Sequence, residues 1–173
     1  LTEKEYESAR ASVLNAHYTS PAVIKAIYKA IENMGFRTGN ILEPSCGIGN
    51  FFGLLPGSMA GSKLYGIELD SITGRIAKQL YQNANIAIQG YEETSLPDSF
   101  FDIAIGNVPF GDYGVADKRY DKNRFLIHDY FIAKTLDKVR PGGIIAFVTS
   151  SGTMDKKNPS VRKYIAQRAD LLG

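Results

Sequence analysis

Apolar positions along the chain recur in two periods. Val23, Ile24, Ile27, Ile31 and Met34 repeat at helical spacing behind Ser20-Pro21, a capping residue followed by a proline at a helix start. Gly35 or Gly39 ends that element. Ahead of it, Thr2 with Glu5 forms a capping box for a first helix running to about Asn15. Short apolar runs then predict strands at Asn40 to Glu43, Lys63 to Leu69, Asn85 to Gln89, Phe101 to Gly106 and Ile144 to Thr149. Helical patterns fill the intervals: a short apolar helix after Asn50, Ser71 to about Asn83, Ile127 to Val139, and Ser160 to Arg168. Pro141-Gly142-Gly143 is expected to stop the third of these. Alternation of this kind predicts an α/β domain with a parallel sheet and helices on both faces. Gly111 to Arg124 is the one long irregular loop, and such loops in compact domains are often functional.

Composition narrows the class. A chain of 173 residues, 44% hydrophobic and 22% charged, suits one soluble globular domain with a sizeable core. No apolar run reaches the roughly 18 residues a membrane span needs, and no signal peptide opens the chain. One cysteine and two histidines give neither a disulfide framework nor a metal-ligand cluster. A reducing cytoplasm is the plain reading. A net charge of +2 is too small to argue for nucleic acid by itself. The first residue is Leu1, and Ala169 to Gly173 reads as a helix end cut before a further strand, so a larger parent chain is expected. Residues 1–36 read as an N-terminal helical segment and 37–173 as a truncated core, one globular unit overall.

Two segments carry candidate cofactor chemistry. Glu43-Pro44-Ser45-Cys46-Gly47-Ile48-Gly49-Asn50-Phe51 follows the first strand, and its glycines let backbone approach a ligand closely. It lacks the third glycine of a pyrophosphate loop and the Gly-Lys-Ser/Thr ending of a P-loop, and a plain strand-to-helix turn would look the same. The next strand ends in Gly66-Ile67-Glu68-Leu69-Asp70, where a carboxylate can accept both ribose hydroxyls of a nucleoside. An exposed strand-end acid is the bland alternative. Together the pair implies a nucleoside cofactor without a pyrophosphate, which points to S-adenosylmethionine.

The sharpest signal is Asn107-Val108-Pro109-Phe110, directly after the fourth strand. In a doubly wound sheet that strand end borders the crevice where ligands sit. Pro109 biases Val108 toward an extended conformation and so aims its carbonyl. That carbonyl and the Asn107 amide oxygen can both accept from one NH2 group, and Phe110 offers a ring face to a planar base. Asn-x-Pro is also an ordinary turn.

Tyr18-Thr19-Ser20-Pro21, Glu43 to Phe51, Gly66 to Asp70 and Asn107 to Phe110, in that order, resemble the S-adenosylmethionine-dependent amino methyltransferases, particularly the adenine-N6 DNA methyltransferases. The chain is also similar to the methylase segments of very large phage and plasmid proteins that carry helicase modules. The resemblance implies a Rossmann-like fold of sheet order 3-2-1-4-5 with C-terminal strands missing. It implies that Tyr18 and Thr19 contact the methionine end of the cofactor, and that Glu43, Pro44, Cys46, Gly47 and Gly49 line its amino-acid portion. Glu68 would hold the ribose and Leu69 pack on the adenine ring. Asn107, Val108, Pro109 and Phe110 would hold the target base, with Asn107 also bordering the cofactor.

Three departures from the family matter. Val108 stands where most members carry proline. The acid that usually ends the third strand and meets the cofactor's adenine amine is replaced by Gly90, so Tyr91, Glu92 or Glu93 must substitute. Two further strands, the usual target-recognition domain and a later base-stacking aromatic are missing.

The reaction implied is methyl transfer to adenine N6 in DNA, with the base flipped from the duplex. Lys118, Arg119, Lys122 and Arg124 of the long loop could touch phosphates, although a solvated mixed-charge loop reads the same; Tyr113 and Tyr120 could stack on bases. His128-Asp129 reads as a helix start rather than a catalytic pair, and His17 as structural. An RNA base or a protein glutamine is the alternative acceptor, and a non-catalytic cofactor- or DNA-binding module of a larger protein the alternative class. DNA and the remainder of a parent chain are the expected partners, with no membrane.

Overall fold

Strand β1, Asn40–Glu43, lies at the centre of the molecule, with Ile41, Leu42 and Glu43 all buried. The computed structural model describes residues 18–173 together with Glu3 and Tyr6. The expected capping box of Thr2 and Glu5 lies outside the described residues, as does His17. The helix expected to run to about Asn15 does so for all but Glu3 and Tyr6.

Around β1 stand β2 (Lys63–Glu68), β3 (Asn85–Ile88), β4 (Phe101–Asn107) and β5 (Val139–Val148), in the order β3-β2-β1-β4-β5. Every pairing is parallel, with Ile41 beside Leu64 on one side and Ile103 on the other. The order reverses between β1 and β4, so their carboxyl ends flank the crevice where ligands bind in open α/β sheets.

Parallel strands covered on both faces read as short apolar runs, which is why all five were legible. Alternate residues of β1 and β4 go to opposite layers, as the period of two requires. Ile41, Ile103 and Ile105 meet α1 (Pro21–Asn33) through Ile24, Tyr28 and Ile31, together with Phe51 and Met59. Leu42 and Ala104 meet Tyr130, Phe131 and Ala133 of α4 (Ile127–Lys138). Each fully buried side chain of this size contributes roughly 1.5–3 kcal/mol. The Ser20 hydroxyl accepts from Val23 N at 3.4 Å and caps α1, with Pro21 at its first position, as the sequence suggested.

The remaining helices are α2 (Asn50–Gly53), α3 (Ser71–Leu80), α5 (Gly152–Asp155) and α6 (Ser160–Ala166). Two boundaries differ from expectation. Helix α4 ends at Lys138, and β5 starts at Val139 instead of Ile144. Pro141-Gly142-Gly143 therefore lies inside a strand. It is accommodated because β5 is an edge strand, where a missing N–H is tolerated, and the register slips between Phe101 and Ile103. Asp102 secures the irregularity by accepting from Arg140 Nε at 2.6 Å. Helix α3 stops at Leu80 because Tyr81 turns away, and its ring meets Phe52 edge-on at 5.8 Å.

Residues 111–124 are largely exposed but are anchored to α4 through Asp117 and Tyr120. Asp117 accepts from Tyr130 OH at 2.8 Å and from Lys134 Nζ at 3.0 Å, and Asp137 accepts from Tyr120 OH at 2.6 Å. Arg119 pairs with Asp98 at 2.8 Å and Asp137 at 2.9 Å. Arg119 is exposed and ion-paired within the protein, and Lys118, Lys122 and Arg124 are exposed as well.

Candidate functional site

The turn after β1 brings the first group of predicted residues together. Gly47 and Gly49 take φ values of +55° and +86°, a region open to glycine at little cost. Their backbone passes from β1 into α2, with Gly49 N donating to Cys46 O at 2.8 Å. Both carboxylate oxygens of Glu68 bind this framework: Gly47 N donates to one at 2.7 Å, and Asp70 N to the other at 2.8 Å. The end of β2 is thereby tied to the turn after β1. A carboxylate has about four acceptor positions, so two hydroxyl donors can still be received. Asp70 caps α3, accepting from Ile72 N and Thr73 N at 2.8 Å each. Leu69, between these two acids, is 75% exposed.

Glu43 ends β1 inside the molecule, only 2% exposed, and its Oε2 is buried with no hydrogen-bond partner. Burial pushes its carboxyl well above the usual carboxylate range, and the nearby Glu68 carboxylate adds to the push. Burial raises Glu68 as well, opposed by the N–H groups of Asp70 and Gly47. Two acids held in one low-dielectric corner favour a cation between them. Gly106 of β4 gives Glu43 room: a Cβ there would stand 3.2 Å from Glu43 Cγ. The Thr19 hydroxyl is likewise buried and without a partner, while Tyr18 beside it is 63% exposed. Cys46 and Pro44 complete the turn, Cys46 N donating to Ile67 O at 2.8 Å and its thiol packing against Phe52 and Ala77.

The acceptor motif continues β4. Asn107 is the last residue of the strand and pairs with Val148 of β5. Val108 N donates to Val148 O at 3.1 Å, and the Val108 side chain is buried in the core. The backbone of Val108 is thus fixed from both sides, which supports the aim given to its carbonyl by Pro109. Phe110 is 44% exposed. Asn107 and Glu43 end the two strands that flank the crevice.

Tyr91 departs from expectation. Its ring is core, packed on Phe131 at 4.9 Å, and its hydroxyl meets Thr135 at 3.1 Å. Its carbonyl receives Lys134 Nζ at 2.7 Å. The side chain is therefore withdrawn from the cofactor set. Glu92 takes the opposite position: its carboxylate lies over Gly90, where a side chain at that position would stand.

His128 and Asp129 do open α4, as read from sequence, but both are buried, at 4% and 2% exposed. Sequence gives no signal of that burial. Among the described residues no group of three or more His, Cys, Asp or Glu could hold a metal ion. No helix among them is long and apolar enough to cross a membrane.

No family model matches the chain. It is 29% identical over 166 residues to "Defense against restriction protein B" of Escherichia phage P1, covering 92% of this chain and 7% of that protein. It is 26% identical over 155 residues to the modification methylase CviBIII of Paramecium bursaria Chlorella virus NC1A, covering 86% of this chain and 41% of that one. An rRNA N(6)-adenosine-methyltransferase of Caenorhabditis elegans is 24% identical over 160 residues, covering 87% of this chain and 71% of that one. The chain thus spans well under half the length of the first two relatives. Among solved structures, a class I S-adenosylmethionine-dependent methyltransferase of Listeria monocytogenes superposes with a TM-score of 0.69 at 19% identity, covering 84% of this chain and 50% of that one.

Proposed function

We propose that this chain, which has the Rossmann-like fold of S-adenosylmethionine-dependent methyltransferases and resembles N6-adenine methylases in sequence, transfers a methyl group from S-adenosylmethionine to the N6 amine of adenine in DNA. The observation that carries the cofactor assignment is Glu43, a buried carboxylate with an unpartnered oxygen beside the Gly47–Gly49 turn. The group implied is a nucleoside with two cationic centres, and the residues present fit it. Glu43 would face its ammonium group, Thr19 and Tyr18 its methionine end, Glu68 its ribose, Leu69 its adenine ring and Glu92 its adenine amine. When bound, it supplies an electrophilic methyl group on a sulfonium.

The chain's own residues prepare the acceptor. An exocyclic amine conjugated to a base is a weak nucleophile, because its lone pair is delocalised into the ring. Hydrogen bonds donated by its two N–H groups to the Asn107 side-chain oxygen and the Val108 carbonyl would localise that lone pair, a preorganised electrostatic effect. Phe110 would stack on the base. Fixing the amine in line with the methyl group supplies much of the remaining acceleration.

DNA is favoured by the restriction-related relatives, and RNA is the second reading because one relative carries an rRNA adenosine methyltransferase name. Calorimetry with S-adenosylmethionine and transfer of labelled methyl to DNA and RNA test the assignment. Saturable cofactor binding and label in DNA as N6-methyladenine are expected. Label only in RNA would move the substrate, and no cofactor binding would overturn the reading.

A further inference from the structure

At the carboxyl end of β5 the structure holds a second group of buried polar atoms, separate from the Glu43–Glu68 corner. Both ring nitrogens of His128, Oδ1 of Asp129, and the hydroxyls of Thr149 and Thr153 are buried and have no hydrogen-bond partner. His128 Nε2 stands 3.6 Å from Asp129 Oδ1, too long for a hydrogen bond. The other Asp129 oxygen pairs with Lys156. A buried polar group left unsatisfied costs about 1–3 kcal/mol, so a set of five is a strong departure from ordinary protein interiors.

The location ties this cluster to the acceptor motif. Nε2 of His128 faces the turn after β5, 4.0 Å from where a Cβ on Gly152 would stand, and that turn carries Thr149 and Thr153. Thr149 follows Val148, which pairs with Asn107 and receives the Val108 N–H. Asp112, two residues beyond Phe110, also acts electrostatically on the His128 ring.

We propose that His128, with Asp129, Thr149 and Thr153, forms the subsite that holds the ring-nitrogen edge of the methyl-acceptor base. The inference rests on the acceptor being an amine-bearing base, as argued above. Asn107 and Val108 supply only acceptors, suited to the NH2 group. A base of this kind has a ring nitrogen beside the amine, and that nitrogen needs a donor. Neutral imidazole has one N–H donor and one bare acceptor nitrogen, and burial favours the neutral form by lowering the His128 pKa. The threonine hydroxyls can donate or accept, and Lys156 holds Asp129 in place. Neither the glycine turn nor Glu68 provides any such donor for the base.

The two histidines of the chain make a direct test practicable. With His17→Gln, nitrogen-15 NMR of labelled imidazole reports His128 alone. Deoxyadenosine monophosphate, added with and without S-adenosylhomocysteine, is expected to shift both ring-nitrogen resonances saturably, and thymidine monophosphate is not. No shift with the adenine nucleotide, or an equal shift with the thymine one, overturns the inference. His128→Phe is expected to keep or raise the unfolding midpoint, leave S-adenosylhomocysteine affinity within about twofold, and weaken the adenine nucleotide by about tenfold or more, the worth of one good hydrogen bond to a buried group. A lowered midpoint with nucleotide affinity unaltered makes His128 structural and overturns it. Failure of S-adenosylhomocysteine to bind wild type counts against the functional reading instead, since the nucleotide arms without it still judge the subsite.

Discussion

The Glu92 carboxylate lies over Gly90, in the space that a side chain at position 90 would fill. The resemblance to the amino methyltransferases leads one to expect an acid at the end of the third strand. Here the strand ends without one, and the carboxylate of Glu92 folds back over Gly90. A Cβ at 90 would meet only the flexible end of Glu92, so the two arrangements are interchangeable in space. Glu92→Ala is therefore expected to weaken S-adenosylmethionine by a few fold, and Gly90→Asp in that background to recover most of the loss. Calorimetry of the single and double variants checks this. No recovery would show that Glu92 has another role.

Glu68→Ala is expected to be the more severe change. Its carboxylate accepts from Gly47 N and Asp70 N, and it is assigned to the ribose hydroxyls. Hydrogen bonds to a charged group are worth roughly 1.5–3 kcal/mol each, so affinity should fall tenfold or more. Two N–H donors are also left without their acceptor, and the unfolding midpoint should drop with it. Equal cofactor affinity in wild type and Glu68→Ala would remove the ribose assignment.

Glu43 makes a prediction in pH. Burial, reinforced by Glu68, holds its folded-state pKa well above the ordinary value. The contribution of such a group to stability is fully present below the ordinary carboxylate value, about pH 4, and is lost as pH rises from there through the elevated folded value. Glu43→Gln removes the loss. The variant should melt higher than wild type at pH 8 and nearly level with it at pH 4, each 1 kcal/mol moving the midpoint by about 2–4 °C. The same substitution should weaken cofactor binding, because the carboxyl that can ionise against the cationic ligand is gone. A variant that neither gains stability nor loses affinity would show that Glu43 is an ordinary core acid.

Lys134 and Asp117 hold the long loop to α4 at 3.0 Å, with Lys134 side chain 4% exposed. Removing either partner of a buried pair leaves the other charge uncompensated, at a cost of roughly 3–5 kcal/mol, whereas replacing both by apolar chains of similar size is far milder. Asp117→Ala should therefore lower the denaturation midpoint strongly, and the double variant Asp117→Leu with Lys134→Met much less. The reverse order would show that the loop is held by its apolar contacts, Val115 and Tyr120, instead.

What sequence could and could not reveal follows from these cases. Every strand of the sheet was legible, because buried parallel strands are short apolar runs bounded by turn residues. The end of α4 was not, because Pro141-Gly142-Gly143 is a breaker in isolation and is tolerated only on an edge strand. The turn of Gly47 and Gly49 and the acid Glu68 were legible because their chemistry is local. Tyr91 and Glu92 were indistinguishable in sequence; only the fold sends one ring into the core and one carboxylate outward. His128 and Asp129 read only as a helix start, and they pack near the turn from Thr149 to Thr153, a segment distant in sequence.

Asn107 gives the most direct test of the chemistry. It ends β4 across the crevice from Glu43, and the groups assigned to the cofactor come from β1, β2 and the residues after β3. Asn107→Ala should therefore leave S-adenosylmethionine affinity nearly unchanged. Its side-chain oxygen is assigned to the amine that gains charge during transfer, so its loss should be felt mainly in the transition state. One preorganised hydrogen-bonding group of this kind is worth on the order of 100–1000-fold in rate. Single-turnover transfer to unmethylated DNA, measured in the longest available form of the protein, should fall by that amount at saturating cofactor. Wild-type turnover in Asn107→Ala would reduce the Asn-Val-Pro-Phe segment to a turn. A variant that also loses the cofactor would place Asn107 on the cofactor side of the crevice and leave the Val108 carbonyl as the sole acceptor for the amine.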